Sequence, residues 1–378
     1  MLEAMTLQNF TVFKDARIEF SPGINVFIGA NATGKTHAIK AAYALLKIGT
    51  NSHKSSNMLR TSGLGGKATV EKWGEMSDVG FREAMSVFCP GGYHDPSRRL
   101  ARGFNSSVET AVKLTVGGRP FTLTISHGGW QSKCNNGDAP PPTAVFIPAK
   151  EVLSMSPGFL QAYKNRELAF DETYYDVIFA LSAGLLRGPA GEEAEALLKP
   201  LKEHLKFKVT QENDTFYLES EEDGKVEAQL AAEGHRKFAT LMRLIANGSL
   251  KKGDVLFWDE PESNLNPLLT KVLADYLLFL AGEGIQIILA THDFLLTNEL
   301  SMQAEYKTAA AEKAGIRFFS FTRGDDHSVS VQRGDTLSDL DDNPILEASM
   351  ALYDREQDLF LEPAKPRASG RKKRAQRP

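Results

Sequence analysis

The first thirty residues set up a repeating apolar–polar rhythm. LEAMTLQNF (2–10) and ARIEF (16–20) alternate apolar and polar positions and predict short strands, and the unbroken apolar run INVFI (24–28) predicts a buried one. The turn SPG separates the last two. After a glycine-rich stretch, the Ala-rich spacing predicts a helix from Thr36 to about Lys47. Residues 49–105 are polar and rich in Gly and Ser, the pattern of an irregular insertion. VKLTVGGRPFTLTIS is a hairpin signal around Gly117–Gly118. The stretch SHGGWQSKCNNGDAPPP reads as loop and TAVFIPA as a buried strand. Helical spacing dominates 151–206, and FKVTQENDTFYLES predicts a second hairpin. From 233 onward a helix (HRKFATLMRLIANG), a strand (DVLFWDE), a helix (PLLTKVLADYLLFLAGEG) and a strand (IQIILATH) alternate, which predicts a parallel α/β sheet. No internal repeat occurs, and the composition beyond about 362 predicts disorder.

Composition adds limits to this picture. A chain of 378 residues is long enough for two or three units, or for one unit with large insertions. Its apolar share, 42%, supplies a sizeable core. The net charge of −4 carries no global bias toward nucleic acid, although the tail RASGRKKRAQRP is strongly basic. No apolar run approaches the ~20 residues that cross a bilayer, and VIFALSAGLL is about half that. The N-terminus lacks a basic n-region, so no signal peptide is expected. Cys89 and Cys134 have no metal-ligand spacing and are expected to be reduced bystanders in a cytoplasmic protein.

The chemistry begins in the glycine-rich stretch. Gly29-Ala30-Asn31-Ala32-Thr33-Gly34-Lys35-Thr36 fits G-x-x-x-x-G-K-[ST] between a strand and a helix. Glycines let consecutive N–H groups wrap a phosphate chain, and the following helix turns its positive end toward the same charge. Lys35 can reach the β and γ phosphates of ATP, His37 follows on the first helical turn, and the Thr36 hydroxyl can ligate Mg²⁺. The partner acid of such a site is supplied by DVLFWDEPESNLNP, where an apolar strand ends in Asp259 and Glu260. Asp259 is expected to hold Mg²⁺ and Glu260 to orient and polarise the attacking water. About thirty residues on, IQIILATHD ends another strand at His292, placed to bond the γ-phosphate. Lys35, Glu260 and His292 are thus the candidate catalytic residues.

Taken together, LQNFTVFKDARIEFSPGINVFIGANATGKT, VLFWDEPESNLNP and ILATHD resemble an ABC-type ATPase of the SMC/RecF-like group, most similar to compact bacterial AAA-type ATP-binding proteins akin to OLD-type and anti-phage ATPases. The resemblance covers residues 1–48 and 142–300 and leaves the insertions aside. It implies a mixed sheet with helices on both faces, an N-terminal antiparallel β subdomain and an inserted helical lobe. The ATPase core would be 1–48 and 207–345, with the hairpin and strand of 106–150. The insertion would be 49–105, the helical lobe 151–206, and the C-terminal segment with its disordered basic tail 346–378. In that family two heads sandwich two ATP molecules between the P-loop of one and the signature loop of the other. The resemblance makes Ser263-Asn264-Leu265-Asn266 the D-loop at that seam and Gly234 the signature glycine, aimed at the partner's γ-phosphate. The family's usual serine is Ala232 here, which removes one hydroxyl donor. His235 and Arg236 either compensate or are solvated first-turn residues. The family's Q-loop glutamine is absent, leaving Lys150 or Glu151 to couple nucleotide to the helical lobe. Phe13 and Lys14, at the edge of the first hairpin, are candidates for adenine contact, with Phe13 equally readable as core.

Three functions compete. The transporter subunit is the weakest, because an intact L-S-G-G-Q sequence is missing and a hairpin and helical lobe separate Lys35 from Gly234. A DNA-engaging RecF-like repair ATPase draws on HDPSRRLARGF and the basic tail. A compact head that pairs on ATP and governs a separate effector, a nuclease, fits the short lobe, which has no heptads running on. After residue 300 there is no acidic cluster of the Toprim type, and GDTLSDLDDNP reads as a turn or partner-facing loop. The expectation is a slow ATPase, forming a head-to-head dimer or higher oligomer, that acts as sensor-regulator of a bacterial anti-phage defence system. DNA is a possible partner and a membrane is not.

Overall fold

The computed structural model describes residues 1–61, 85–88, 100–102, 108–126, 129–134 and 140–361. Strands β1 (Leu2–Phe10), β2 (Phe13–Glu19), β4 (Thr110–Val116), β5 (Arg119–Ser126) and β6 (Gly129–Cys134) form an antiparallel sheet of order β2-β1-β4-β5-β6. A six-stranded sheet runs β14-β13-β3-β12-β11-β7, from β3 (Ile24–Gly29), β7 (Ala144–Ile147), β11 (Val255–Asp259), β12 (Gln286–Ala290), β13 (Ile316–Arg323) and β14 (Val329–Gly334). All its pairings are parallel except β13 with β14. A third sheet, β10-β9-β8, joins β8 (Phe207–Glu212), β9 (Thr215–Ser220) and β10 (Gly224–Glu227).

The near-continuous apolar runs of the central strands follow from burial on both faces. Ile24, Val26 and Ile28 of β3, Leu256 and Trp258 of β11, and Ile287 and Leu289 of β12 point into one core. That core is closed by α3 (Glu172–Leu181), α4 (Gly188–Leu205), α5 (Glu233–Ala246) and α6 (Pro267–Gly282). The alternate residues Phe27, Phe257 and Ile288 point into a second core, shared with α1 (Lys35–Thr61) and the antiparallel sheet. The remaining helices are α2 (Phe159–Lys164), α7 (Phe294–Glu305), α8 (Ala309–Ala314) and α9 (Pro344–Leu361). Among the described residues, no helix is long and apolar enough to cross a membrane.

Two sequence-based expectations need correction. The helix placed at Thr36–Lys47 continues to Thr61, so the irregular insertion does not begin at residue 49. Gly49 looks like a stop, yet a Cβ there would lie 2.4 Å from the Phe121 ring. Glycine at this point permits close helix–sheet approach rather than ending the helix. The stretch read as loop from 126 to 142 contains β6, which adds to β5 from Phe121↔Cys134 to Ser126↔Gly129. Its short polar sequence lacks the apolar alternation that reveals a strand. The segment HDPSRRLARGF lies largely outside the described residues, and the basic tail entirely so.

Candidate nucleotide-phosphate site

The loop 29–36 leaves the C-terminal end of β3 and enters α1 at Lys35. Two glycines are required sterically. Gly29 has φ +148° and Gly34 φ +87°, regions that side chains rarely adopt. A Cβ on Gly29 would sit 2.6 Å from the Phe321 carbonyl oxygen, and one on Gly34 would sit 2.6 Å from Val12 and 2.9 Å from the Phe13 ring. Thr33 donates from its hydroxyl to the Ala30 carbonyl at 2.9 Å, and Arg323 donates to the Ala32 carbonyl at 2.8 Å. Ala30, Asn31 and Ala32 form the exposed crest of the loop. Lys35 curls over it, its Nζ donating to the carbonyl oxygens of Gly29 at 2.7 Å and Ala30 at 3.0 Å. Burial lowers the Lys35 pKa, opposed by Asp259, Glu260 and Glu262.

The loop and the acidic strand end meet. Thr36 Oγ1 lies 3.1 Å from each carboxylate oxygen of Asp259, across 223 positions of sequence. Parallel pairing of β3 with β12 and of β12 with β11 brings their C-terminal ends to one edge, the usual position for ligands in such sheets. Burial lifts the Asp259 carboxyl to about 6, with Glu260 adding to the rise and the Thr36 hydrogen bond, Lys40 and Lys35 opposing it. A hydroxyl and a carboxylate together fit Mg²⁺, a hard cation usually held by one or two protein oxygens plus substrate phosphates. Among the described residues no cluster of three or more His, Cys, Asp or Glu side chains could hold a metal ion.

Glu260 takes φ +47°, and its N–H donates to the Ala290 carbonyl at 2.8 Å. Its carboxylate Oε1 lies 3.3 Å from His292 Nδ1, with both side chains partly exposed. The two strand ends therefore place an acid and an imidazole side by side, beside the Thr36–Asp259 pair.

Glu262 was not singled out by the sequence, although it is the third acid within DEPES. It is buried, it accepts the Thr291 hydroxyl at 2.6 Å on Oε1, and its Oε2 has no hydrogen-bond partner. Burial lifts its carboxyl to about 7, against the Thr291 bond. Because the raised pKa belongs to the folded state, the folded chain holds this proton more tightly than the unfolded one. Stability from this group is therefore present below the ordinary glutamate value and is lost as pH rises toward about 7. Glu262→Gln removes the titration, and thermal melts should show the variant gaining about 1–3 kcal/mol on its parent between pH 4.5 and pH 8. Parallel melting curves across that range would refute this.

The stretch expected to act as the signature loop leads into α5. Ala232 occupies the N-cap position without a side-chain bond to the helix. Arg236 folds back instead, its Nη1 donating to the carbonyls of Ala228, Gln229 and Ala231 at 3.1–3.3 Å. Its Nε is 2.9 Å from Glu151 Oε2, a charge contact off the line of a hydrogen bond. Glu151 is buried and also accepts the Ser154 hydroxyl at 2.6 Å. It thus joins the turn after β7 to the start of α5, while the exposed Lys150 sets its ammonium 5.9 Å from the Phe170 ring in the helical lobe. Gly234 is buried against the stretch expected to be the D-loop, where a Cβ would meet Leu265 at 2.9 Å and the Asn264 carbonyl at 3.3 Å. Asn264 Nδ2 donates to Glu233 at 2.8 Å. His235 leans on the Phe207 ring, 5.5 Å between centroids.

Phe13 requires correction as an adenine contact. It is fully buried, edge-on to Phe321 and directly beneath Gly34, so the ring supports the phosphate loop from inside and offers no face to a base. Lys14, next to it, is exposed. His37 is exposed on α1, 6.3 Å from the Phe88 ring.

Over residues 93–298, more than half its length, the chain matches the family described as "AAA domain, putative AbiEii toxin, Type IV TA system". Residues 1–78 match an AAA ATPase domain. The DNA replication and repair protein RecF of Lactobacillus acidophilus is 40% identical over 68 residues, 18% of each chain. That of Limosilactobacillus reuteri is 42% identical over 57 residues, 15% of each. The matches thus span under a fifth of these relatives' length. A solved SMC head bound to the C-winged helix domain of ScpA covers 89% of this chain and 98% of that one, with a TM-score of 0.50 and 14% identity, a likeness of fold alone. With its phosphate loop, acidic strand end and layered sheets, the chain belongs to this AAA-domain family, is similar in fold to an SMC head, and resembles RecF over a short stretch of sequence.

Proposed function

We propose that this chain hydrolyses ATP, pairs head to head with a second copy when ATP is bound, and through that change regulates a separate effector, a nuclease, in a bacterial anti-phage defence system. The observation that carries the ATPase part is the Thr36–Asp259 contact, which joins the phosphate loop to the acidic strand end. Thr36 and Asp259 would hold Mg²⁺, which when bound would neutralise charge on the triphosphate. Lys35 exchanges its two carbonyl acceptors for phosphate oxygens. Glu260 orients the attacking water and accepts its proton, and His292, beside it, donates to the γ-phosphate.

Pairing is supported by the surface around the signature loop. Leu230 and Leu268 are 80% and 79% exposed and flank the packed contact of Gly234 with Leu265 and Leu269. Apolar groups at such a position are what a second copy would cover. The defence role is supported by the family description, which names a toxin of a toxin–antitoxin system. A second reading, a RecF-like repair ATPase that binds DNA directly, is favoured by relatives named for DNA replication and repair.

Phosphate release and light-scattering mass, measured with ATP and with ADP, test the proposal. Hydrolysis with a doubled mass in ATP alone supports it, and a chain that ignores ATP overturns it. Saturable stimulation of hydrolysis by DNA would favour the second reading.

A further inference from the structure

The second turn of α5 also reaches inward. Lys237 is 4% exposed, and its Nζ donates to the Glu260 carbonyl oxygen at 2.9 Å and to the Ser263 hydroxyl. The same carbonyl accepts the Ser263 hydroxyl at 3.1 Å and the Ser263 N–H at 3.2 Å. On the other side, the Glu260 N–H is fixed to Ala290. Between these anchors Glu260 holds φ +47°, a conformation disfavoured for a residue with a Cβ and kept only where the surroundings over-determine it. A buried ammonium costs desolvation that an apolar side chain of similar shape would avoid. Here its donors are directed at the peptide that aims the carboxylate.

We propose that Lys237 is a positioning residue for ATP hydrolysis: it holds Glu260 in its left-handed conformation and ties that carboxylate to the helix that carries the signature loop. The lysine sits three residues after Gly234, so the helix that would present the loop to a second copy is the same helix that secures the catalytic carboxylate of its own site. A shift of α5 on pairing would then be felt at Glu260 without any contact between Lys237 and nucleotide. This inference rests on the ATPase reading above.

The test is Lys237→Met, with kcat from phosphate release and Kd for ATP–Mg²⁺ from calorimetry. The expected result is a kcat lowered about 10- to 100-fold, the scale of a misaimed catalytic group, with Kd within about threefold of the parent. A merely structural lysine would move both together or neither, and either result overturns the inference. Should this variant not fold, Ser263→Ala, which strips one donor from the same carbonyl and leaves the cation, is read in the same way. A smaller loss of kcat at unchanged Kd supports the assignment, and unchanged kcat overturns it. A parent chain that binds no ATP fails the ATPase reading itself, and the inference with it. A parent that hydrolyses ATP beside a variant of equal kcat fails the inference alone.

Discussion

Lys35→Ala is expected to abolish measurable ATP binding. The ammonium is the cation of the phosphate loop, already desolvated and within reach of the loop's own carbonyls. Truncating one partner of a buried, hydrogen-bonded charge pair costs about 2–5 kcal/mol, which is roughly 30-fold or more in Kd. The loop itself should survive, because the Thr33–Ala30 and Arg323–Ala32 bonds and the two glycines do not depend on the lysine. Calorimetric titration with ATP and Mg²⁺ reads the effect, and a melting temperature near that of the parent separates it from unfolding. A variant that binds as tightly as the parent would remove the loop from the phosphate site.

Glu260→Gln should separate binding from chemistry. The amide keeps the size and the place beside His292 but cannot accept a proton from water. General-base catalysis is worth about 10²- to 10⁴-fold, so kcat should fall on that scale while ATP affinity holds. With hydrolysis blocked, the ATP-bound pair should accumulate, and light scattering should report a doubled mass that persists until ATP is removed. A kcat near that of the parent would take Glu260 out of the chemistry. An unchanged mass would count against the sandwich.

What the sequence disclosed and what it concealed divide along a physical line. The phosphate loop was legible because chemistry dictates its residue types locally: glycine where φ is positive, a lysine and a threonine at the helix start. The acidic strand end was legible because a buried apolar strand that stops in two adjacent acids presents both carboxylates at the ligand-binding edge of a parallel sheet. Contacts made across the fold were not. Gly49 has the look of a helix stop, and only Phe121 from a distant strand accounts for it. Phe13 could be core or platform from sequence, and burial beneath Gly34 decides it. Arg236 could be solvated or a substitute for the missing serine, and the three carbonyls it meets belong to a turn whose shape no pattern reveals. Lys237 does carry a signal in the sequence, since it lies within the buried part of α5 beside Phe238 and Leu241. A cation among apolar neighbours should prompt a search for its acceptor.

The central claim is that residues 29–36 and Asp259–Glu260 serve a single magnesium–triphosphate site. A double-mutant cycle tests it most directly: the affinity gained for ATP on adding Mg²⁺, measured for the parent, Thr36→Val, Asp259→Asn and the pair. If both residues hold one ion, either substitution removes most of the gain and the double variant loses little more. Losses that simply add, or a parent whose ATP affinity is indifferent to Mg²⁺, would contradict the account.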